Sequence, residues 1–208
     1  QHAERQIDQV RRRVLLGEKI PHEEKVFSIF EPHSEWISKG KAGVPQEIGL
    51  KVCIVEDQYG FVLKHRVMRN SHDKEMAVPI ITETKRKYPT LTSCSFDKNF
   101  YSPENKKRLS AILETAALPK KGKRNETQLR EESQEKFVAA RKQHPAIESG
   151  IHALENHGLD RCLDCGLRGF ERYVSLAVVG RNVQLLGSIL WKREEQRQTK
   201  RKRNAVPA

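Results

Sequence analysis

The sequence predicts an α/β fold in which a sheet is flanked by helices. Two strand-like runs at 48–55 and 61–67 are joined by five mostly polar residues, which favours an antiparallel hairpin. Apolar residues at helical spacing predict a helix over 74–88, directly before a proline. A short strand at 91–96 and a helix at 103–116 follow, so strands and helices alternate along this part of the chain.

The chain divides into three predicted regions. Residues 1–24 are charged and helix-prone, residues 25–191 form the main domain, and residues 192–208 form a basic disordered tail. Within these regions the same patterns predict further elements: a strand at 25–30, basic loops at 39–43 and 118–125, a helix at 126–143, a helix that begins at Pro145, and an apolar helix at 170–191 that packs on the sheet.

The charge of the chain indicates the class of its partner. Its 208 residues include 39 lysines and arginines against 27 aspartates and glutamates, a formal net charge of +12. Such an excess favours a polyanion, with nucleic acid first and an acidic membrane surface second. No apolar run approaches the length of a membrane span, and the charged first residues do not resemble a signal peptide. Four cysteines, two of them in strand-like runs, favour a reducing compartment, so we expect a cytoplasmic, nucleoid-associated protein.

Asp97 lies where a predicted strand ends and a helix is about to begin. Ser102, Pro103 and Glu104 have the order of a helix N-cap, a first-turn proline and a first-turn acid. In α/β proteins, chemistry gathers at the carboxyl edge of the sheet. Asn99 tolerates a left-handed turn that would leave Asp97 exposed. Asp97 is therefore a candidate catalytic residue, and the alternative is an aspartate that only caps a turn.

Five segments of the chain carry a family resemblance. They are VFSIFEPH at 26–33, EWISKGKA at 35–42, QEIGLKV at 46–52, SFDK at 95–98 and HPAIES at 144–149. In this order they resemble the catalytic domain of bacterial insertion-sequence transposases of the DDE class, of the ISNCY type. The resemblance covers about four fifths of the chain, and it implies an RNase H-like fold with a mixed sheet.

The resemblance also implies an active centre. In that family a first aspartate on the opening strand, a second aspartate at the end of a later strand and a glutamate on a following helix hold two Mg²⁺ or Mn²⁺ ions. Asp97 matches the second acid and Glu148 the third, while Asn99 replaces the usual glycine. Carboxylate oxygens suit hard cations, and two such ions can hold the attacking and leaving oxygens of a phosphoryl displacement.

Other signature positions of the family are altered in this chain. The family has a tyrosine, an arginine and a lysine around the catalytic glutamate, and here those places hold Arg141, His144 and Glu155. Because Glu155 is acidic, the usual basic contact with DNA is absent at that position.

The first acid of the family has no clear match. In relatives built like this chain it lies upstream, before a helical insertion, and residues 1–24 resemble the end of that insertion. We therefore expect an incomplete RNase H-like fold, in which the chain is a carboxy-terminal part that lacks the first strand. Asp8, Glu31 and Asp57 are rival first acids within the chain, although Asp8 and Asp57 are more simply surface carboxylates.

Three further groups of residues have alternative interpretations. Glu131 and Glu132 are rivals of Glu148, but they lie in a mixed-charge run typical of a solvated helix face. A zinc site is weakly indicated, because its four candidates have irregular spacing: His152, His157, Cys162 and Cys165. The aromatic rings of Trp36 and Tyr101 could stack on unpaired bases or pack in the core.

The expected partner is DNA, at the transposon ends and the target, and we expect a homodimer in the active complex and no membrane contact. Nine side chains are predicted to bind DNA: Lys39, Lys41, Lys98, Lys120, Lys121, Lys123, Arg124, Arg141 and His144. The resulting hypothesis is a transposase that cleaves and transfers DNA strands when complete. Two alternatives stay open, another RNase H-like nuclease and a non-enzymatic basic DNA-binding protein.

Overall fold

The computed structural model describes residues 1–38 and 46–204 as a mixed α/β protein. The helices are α1 (His2–Val14), α2 (Asp73–Lys87), α3 (Pro103–Ile112), α4 (Glu126–Glu132), α5 (Glu135–Gln143), α6 (Pro145–Leu154) and α7 (Gly166–Asn204). The strands are β1 (Glu35–Ser38), β2 (Gln46–Gly49), β3 (Lys51–Glu56), β4 (Val62–Met68), β5 (Ser93–Ser95) and β6 (Thr115–Ala117). The predicted basic loop at 39–43 lies outside the described residues.

The described strands form three two-stranded sheets rather than the single sheet that the sequence predicts. Strands β1 and β2 are antiparallel, β3 and β4 form the predicted antiparallel hairpin, and β5 and β6 are parallel. The hairpin turn is held by Asp57, whose Oδ1 accepts the N–H groups of Tyr59 and Phe61, both at 2.9 Å. Gly60 follows with a φ of 87°, a left-handed conformation that glycine adopts without strain.

The main core lies where α2 packs against the hairpin and against α3. Its fully buried members are apolar side chains at the helical spacing of α2 and at alternate positions of β3. They include Cys53, Val55, Met68, Ala77, Ile80, Ile81, Phe96, Leu109 and Leu113. The sequence predicts the bounds of α2 to within one residue. The prediction succeeds because the apolar residues of α2 form a single face that packs on this core.

Residues 25–30 do not form the predicted strand. The backbone donors of this segment bond to side chains instead, since the N–H of Val26 donates to Gln9 Oε1 at 2.7 Å and the N–H of Glu31 donates to Ser28 Oγ at 3.0 Å. A strand needs a partner ladder, and local side-chain acceptors replace that ladder here. Phe30 is 86% exposed, so this apolar side chain of the alternating pattern does not pack in a core.

Helix α3 ends earlier than predicted, and a strand follows it. The helix stops at Ile112 rather than 116, and β6 (Thr115–Ala117) pairs with β5. Alanine favours helices, but Ala117 is fully buried in the parallel pair, so tertiary packing overrides the local preference. The predicted helix at 126–143 is likewise divided, because Ser133 and Gln134 separate α4 from α5.

Helix α7 continues to Asn204, where the sequence predicts a disordered tail from residue 192. Lysine, arginine, glutamate and glutamine are good helix formers, and ion pairs one turn apart support them, as between Glu194 and Arg197 at 3.9 Å. Residues 192–201 are therefore exposed, as expected, and the chain is helical up to Asn204.

From the sequence we expect no apolar run of membrane-spanning length, and α7 departs from that expectation. Over 166–201 this helix is long and apolar enough to cross a membrane by length and composition, and only 17% of its most apolar window is buried. The core helices of soluble proteins pass the same test. Here the middle of α7 is docked on β4, because the Asn182 side chain accepts from the N–H of Val62 at 2.9 Å and donates to its carbonyl at 3.0 Å. The expectation of no membrane contact stays a prediction.

Replacing Asn182 by alanine should destabilise the fold. The substitution leaves both backbone groups of Val62 without their partner in a part-buried position, at a cost of about 1–3 kcal/mol. Ser188→Ala on the exposed face of the same helix is the matched control and should change stability by less than about 0.5 kcal/mol. Urea unfolding monitored by circular dichroism measures both, and equal stability of the two variants would contradict the docking role of Asn182.

Candidate active site

Asp97 lies at the carboxyl end of β5, as the sequence predicts. Phe96, the residue before it, is buried, and its N–H donates to the Ala117 carbonyl at 3.0 Å, which extends the parallel pair by one bond. Asp97 itself is exposed, and a 3₁₀ turn follows at Lys98–Phe100. Asn99 is part of this turn and has no left-handed backbone, so that expectation is wrong.

The helix that follows Asp97 has the predicted N-terminus. Ser102 caps α3, because its Oγ accepts the Asn105 N–H at 3.0 Å, and Pro103 occupies the first turn. The Asn105 amide then donates to the carbonyls of Phe100 and Lys74, at 2.9 and 2.7 Å. These bonds tie the turn after Asp97 to the start of α2, so the position of Asp97 is fixed from both neighbouring helices.

Arg141 connects the end of β5 to the helices that carry Glu148. From the last turn of α5, its Nη1 donates to the Phe96 carbonyl at 2.9 Å and approaches Ser95 Oγ at 3.5 Å. A charged donor to a buried carbonyl is among the stronger hydrogen bonds in a protein. Arg141 was predicted to contact DNA, but its guanidinium is committed to the backbone beside Asp97.

Glu148 lies in the first turn of α6, which begins at Pro145 as predicted. His144 precedes that helix and is half-buried, and its Nδ1 has no hydrogen-bond partner among the described residues. Burial lowers the pKa of His144, as does the nearby charge of Arg141, whereas the carboxylates of Asp97 and Glu148 oppose that shift. Both carboxylates therefore lie close enough to His144 to act on its charge.

A groove of about 2390 Å³ contains Asp97, His144 and Glu148. Residues of β3, β5 and α6 all line it. In the described part of the chain, β3 pairs only with β4 and β5 only with β6, so both strands present an unpaired edge. Cys53 of β3 lies in the main core and Cys94 of β5 packs against that core. Burial first and then the charge of Cys53 raise the pKa of Cys94 to about 12.

The groove supplies part of a donor set for divalent metal. Asp97 and Glu148 are exposed carboxylates, the ligand type that Mg²⁺ and Mn²⁺ prefer. Among residues 1–38 and 46–204, however, no three histidine, cysteine, aspartate or glutamate side chains lie close enough together to hold a metal ion. The described residues thus fit such a metal only in part.

A family model supplies the decisive comparison. The model for the transposase DDE domain matches residues 19–183, which is well over half of the chain and includes Asp97, His144 and Glu148. The chain belongs to the transposase DDE domain family. Membership places it in a class of enzymes that cleave nucleic acid during transposition. No curated protein and no solved structure matches the chain significantly.

The rival first acids of this transposase domain have structural partners. Asp8 faces Arg12 at 3.7 Å on exposed α1, and Asp57 holds the hairpin turn. Glu31 lines the groove, but both its oxygens accept the Gly166 N–H at the start of α7, at 3.1 and 3.2 Å. Each of the three carboxylates therefore already has a role in the fold.

The rivals of Glu148 are also engaged in ion pairs. Glu131 pairs with Lys106. Glu132 accepts from Arg124 Nε at 2.7 Å and from the Lys120 N–H at 3.0 Å. These contacts hold α4 against the basic loop at 118–125, whereas Glu148 is exposed to the groove.

The predicted DNA-binding side chains fall into three groups in the transposase domain. Lys39 and Lys41 lie outside the described residues. Four others contact protein groups: Lys120 donates to Gln128 at 3.0 Å, Arg124 pairs with Glu132, Arg141 holds β5, and His144 is half-buried at the groove. Three lysines are exposed and have no ion pair with a described residue: Lys98, Lys121 and Lys123.

Three of the four zinc candidates contact separate partners. His157 Nε2 lies 2.6 Å from Gln184 Oε1, His152 faces Glu155 at 3.5 Å, and the Cys162 thiol donates to the Asp164 carbonyl at 3.4 Å. Cys165 is exposed.

The two aromatic candidates have protein contacts. Trp36 packs on Phe27 with ring centroids 5.7 Å apart, and the Tyr101 hydroxyl accepts from Gln128 at 3.4 Å. Both rings are therefore at least partly engaged within the domain.

Sequence reasoning missed Glu56, a half-buried carboxylate at the end of β3. Its Oε2 is buried without a hydrogen-bond partner and lies against the backbone of Gly150 on α6, where any side chain would displace it. Burial raises the pKa of Glu56, Arg181 opposes the shift, and Asp57 adds to it. The polar ending of an otherwise apolar strand was the signal available in the sequence.

Glu56→Gln should stabilise the domain at neutral pH. Because the folded state raises the pKa of Glu56, it binds more protons than the unfolded state, so stability falls as pH rises above the ordinary glutamate value of about 4.3. The gain should therefore be present at pH 7 and vanish below about pH 4. Thermal unfolding between pH 4 and 8 measures it, with exposed Glu114→Gln as control, and a gain that is independent of pH would contradict the burial of this charge.

Proposed function

We propose that the chain is part of a DNA transposase that cleaves DNA and transfers strands at the ends of an insertion sequence. The observation that carries the proposal is the placement of Asp97 and Glu148, from distant parts of the matched region, on one groove. In this proposal the two residues are catalytic and hold two Mg²⁺ or Mn²⁺ ions. When bound, such ions would activate the attacking oxygen and stabilise the leaving 3′-oxygen.

The chain's own residues position the reacting groups. Arg141 holds the backbone just before Asp97, and the Asn105 bonds hold the turn just after it, so the carboxylate projects from a fixed point. Glu148 projects from the first turn of α6, whose start at Pro145 is set by the proline. Fixing both acids before the substrate arrives reduces the entropy lost on reaching the reactive geometry.

The first catalytic acid is proposed to lie upstream of residue 1, on a strand that inserts between β3 and β5. Two observations support this. Among the described residues β3 and β5 each have an unpaired edge, and both strands line the groove that contains Asp97. The in-chain rivals Asp8, Glu31 and Asp57 serve ion pairing, helix capping and a hairpin turn. A strand edge with free N–H and C=O groups is a template for a further strand.

The proposed partner is DNA, both the transposon ends and the target, with a homodimer in the active complex and a cytoplasmic, nucleoid-associated location. A net charge of +12 supports the DNA contact. The same charge would also suit a non-enzymatic DNA-binding protein, and the groove would also suit another RNase H-like nuclease. Strand transfer to a target duplex separates the transposase from both alternatives.

Cleavage by the longer protein should depend on Asp97 and Glu148. Asp97→Asn and Glu148→Gln should each reduce metal-dependent nicking of a plasmid that carries the element's ends to background, because each removes a proposed metal ligand and no phosphate contact. Duplex binding should stay nearly intact. Glu132→Gln is the matched control and should retain activity. If Glu132→Gln is inactive and Glu148→Gln is active, the third acid is wrongly assigned.

Residues 1–208 alone should not cleave or join DNA in Mg²⁺ or Mn²⁺, since two of the three acids would hold the metal pair poorly. A reading frame extended upstream to an aspartate-bearing strand should restore activity. Nicking by residues 1–208 that Asp97→Asn abolishes would place the first acid within this chain instead.

Duplex binding by residues 1–208 should weaken steeply with salt and show little sequence preference. The exposed lysines and the basic end of α7 offer phosphate contacts, and each phosphate neutralised contributes about 0.9 to the slope of log affinity against log salt. Fluorescence anisotropy at 50 to 200 mM salt with two unrelated duplexes measures this. Affinity that does not change over this range would contradict binding through the phosphates.

A further inference from the structure

A second, smaller pocket of about 390 Å³ lies beside the candidate active site. Lys98, the residue after Asp97, and Lys142, the residue after Arg141, are both part of its wall. Arg124 and Arg141 are cationic as well, and Glu132 is the one acidic side chain in the wall. Four positive charges against one negative charge favour an anion.

The arginines of this pocket are already neutralised or committed, and the lysines are not. Arg124 is paired with Glu132 at 2.7 Å, and Arg141 bonds to the Phe96 carbonyl at 2.9 Å. Lys98 and Lys142 are exposed, and neither forms an ion pair with a described residue. Arg141 keeps its charge, because a carbonyl is neutral, but its guanidinium is held by that bond, so the cationic side chains free to reach a ligand are those of the two lysines.

The hydrogen bond from Arg141 to the Phe96 carbonyl also fixes the pocket relative to the candidate active site. Because Arg141 binds the backbone of Phe96, the residues that follow each of them, Lys142 and Asp97, lie on adjoining elements at the end of β5. Lys142 borders both the small pocket and the large groove that contains Asp97 and Glu148. A DNA backbone that occupied the groove would therefore also meet a residue of the small pocket.

We propose that Lys98 and Lys142 form a phosphate-binding site that holds the DNA backbone next to the reacting phosphodiester. The site rests on the proposed function only in taking DNA as its ligand, since it requires neither metal nor cleavage. The sequence predicts phosphate contacts by Arg124 and Arg141. The proposal assigns this contact to Lys142 instead, a residue that the sequence analysis does not select. A lysine is a compact charge on a flexible stem, suited to a phosphate that carries no sequence information.

The test compares two pairs of substitutions in residues 1–208. The pocket pair is Lys98→Gln with Lys142→Gln. The control pair, Arg86→Gln with Lys87→Gln, removes the same charge from exposed positions at the end of α2. The start of α2 is bonded to the turn after Asp97 through Asn105, and the control positions lie roughly 18 Å further along the helix from that contact. Circular dichroism melting establishes that each pair is folded.

The probe is a 20-base-pair duplex of arbitrary sequence, titrated by anisotropy at several salt concentrations. The pocket pair should weaken binding about tenfold and lower the salt slope by about 0.9, as expected for the loss of one phosphate contact. The control pair should change both by much less. Lys98→Arg with Lys142→Arg keeps the charge and should restore binding.

Two outcomes would overturn the proposal. Equal losses in the pocket and control pairs would mean that only net charge matters. Loss of binding to phosphatidylglycerol vesicles with unchanged duplex binding would assign the pocket to a membrane surface. The readout is binding, so these outcomes are independent of catalysis: inactive acids in the longer protein would refute the proposed function and leave the pocket result standing.

Discussion

The candidate site depends on the hydrogen bond from Arg141 to the Phe96 carbonyl. Asp97 and Glu148 are separated by 50 residues, and they belong to elements that do not share a sheet or a helix. The bond at 2.9 Å ties α5 to the end of β5 beside Asp97, and α6, which carries Glu148, begins directly after α5. A hydrogen bond from a charged donor contributes about 1.5–3 kcal/mol to stability.

The same bond explains how the site distributes its charges. Two carboxylates on one groove repel each other, and a buried, ionised pair would be costly. Here Asp97 and Glu148 are both exposed. Burial lowers the pKa of His144, and the two carboxylates oppose that shift. The stable cation, Arg141, is placed behind Asp97 on the backbone, where it does not fill the space in front of the carboxylates. The acids therefore remain available to a ligand that brings positive charge.

The sequence predicts those parts of the fold that local chemistry decides. The apolar face of α2, the Ser102 cap, the proline at the start of α6 and the hairpin turn are all local, and each is found where expected. The failures are non-local. Residues 25–30 lose their strand to the side chains of Gln9 and Ser28, and β6 takes residues that favour a helix because β5 offers a partner.

The site follows the same division between local and distant causes. Asp97 is predicted from its position after a strand and from the family resemblance, and Glu148 is predicted from the family resemblance alone. The role of Arg141 was not predictable, because a charged side chain on a solvated helix and one that binds a distant carbonyl look the same in sequence. The burial of Glu56 was not predictable for the same reason, because it depends on Gly150, nearly a hundred residues away along the chain.

The proposed upstream strand requires a particular separation between β3 and β5. Neighbouring strands lie about 4.8 Å apart, so one strand between β3 and β5 requires their axes to be about 9.6 Å apart. Such a strand would satisfy two unpaired edges at once. An acid on it would then face Asp97 across one strand spacing. The proposed upstream strand would thus supply the third metal ligand and also complete the sheet. In this proposal the active centre is complete only when the sheet is complete.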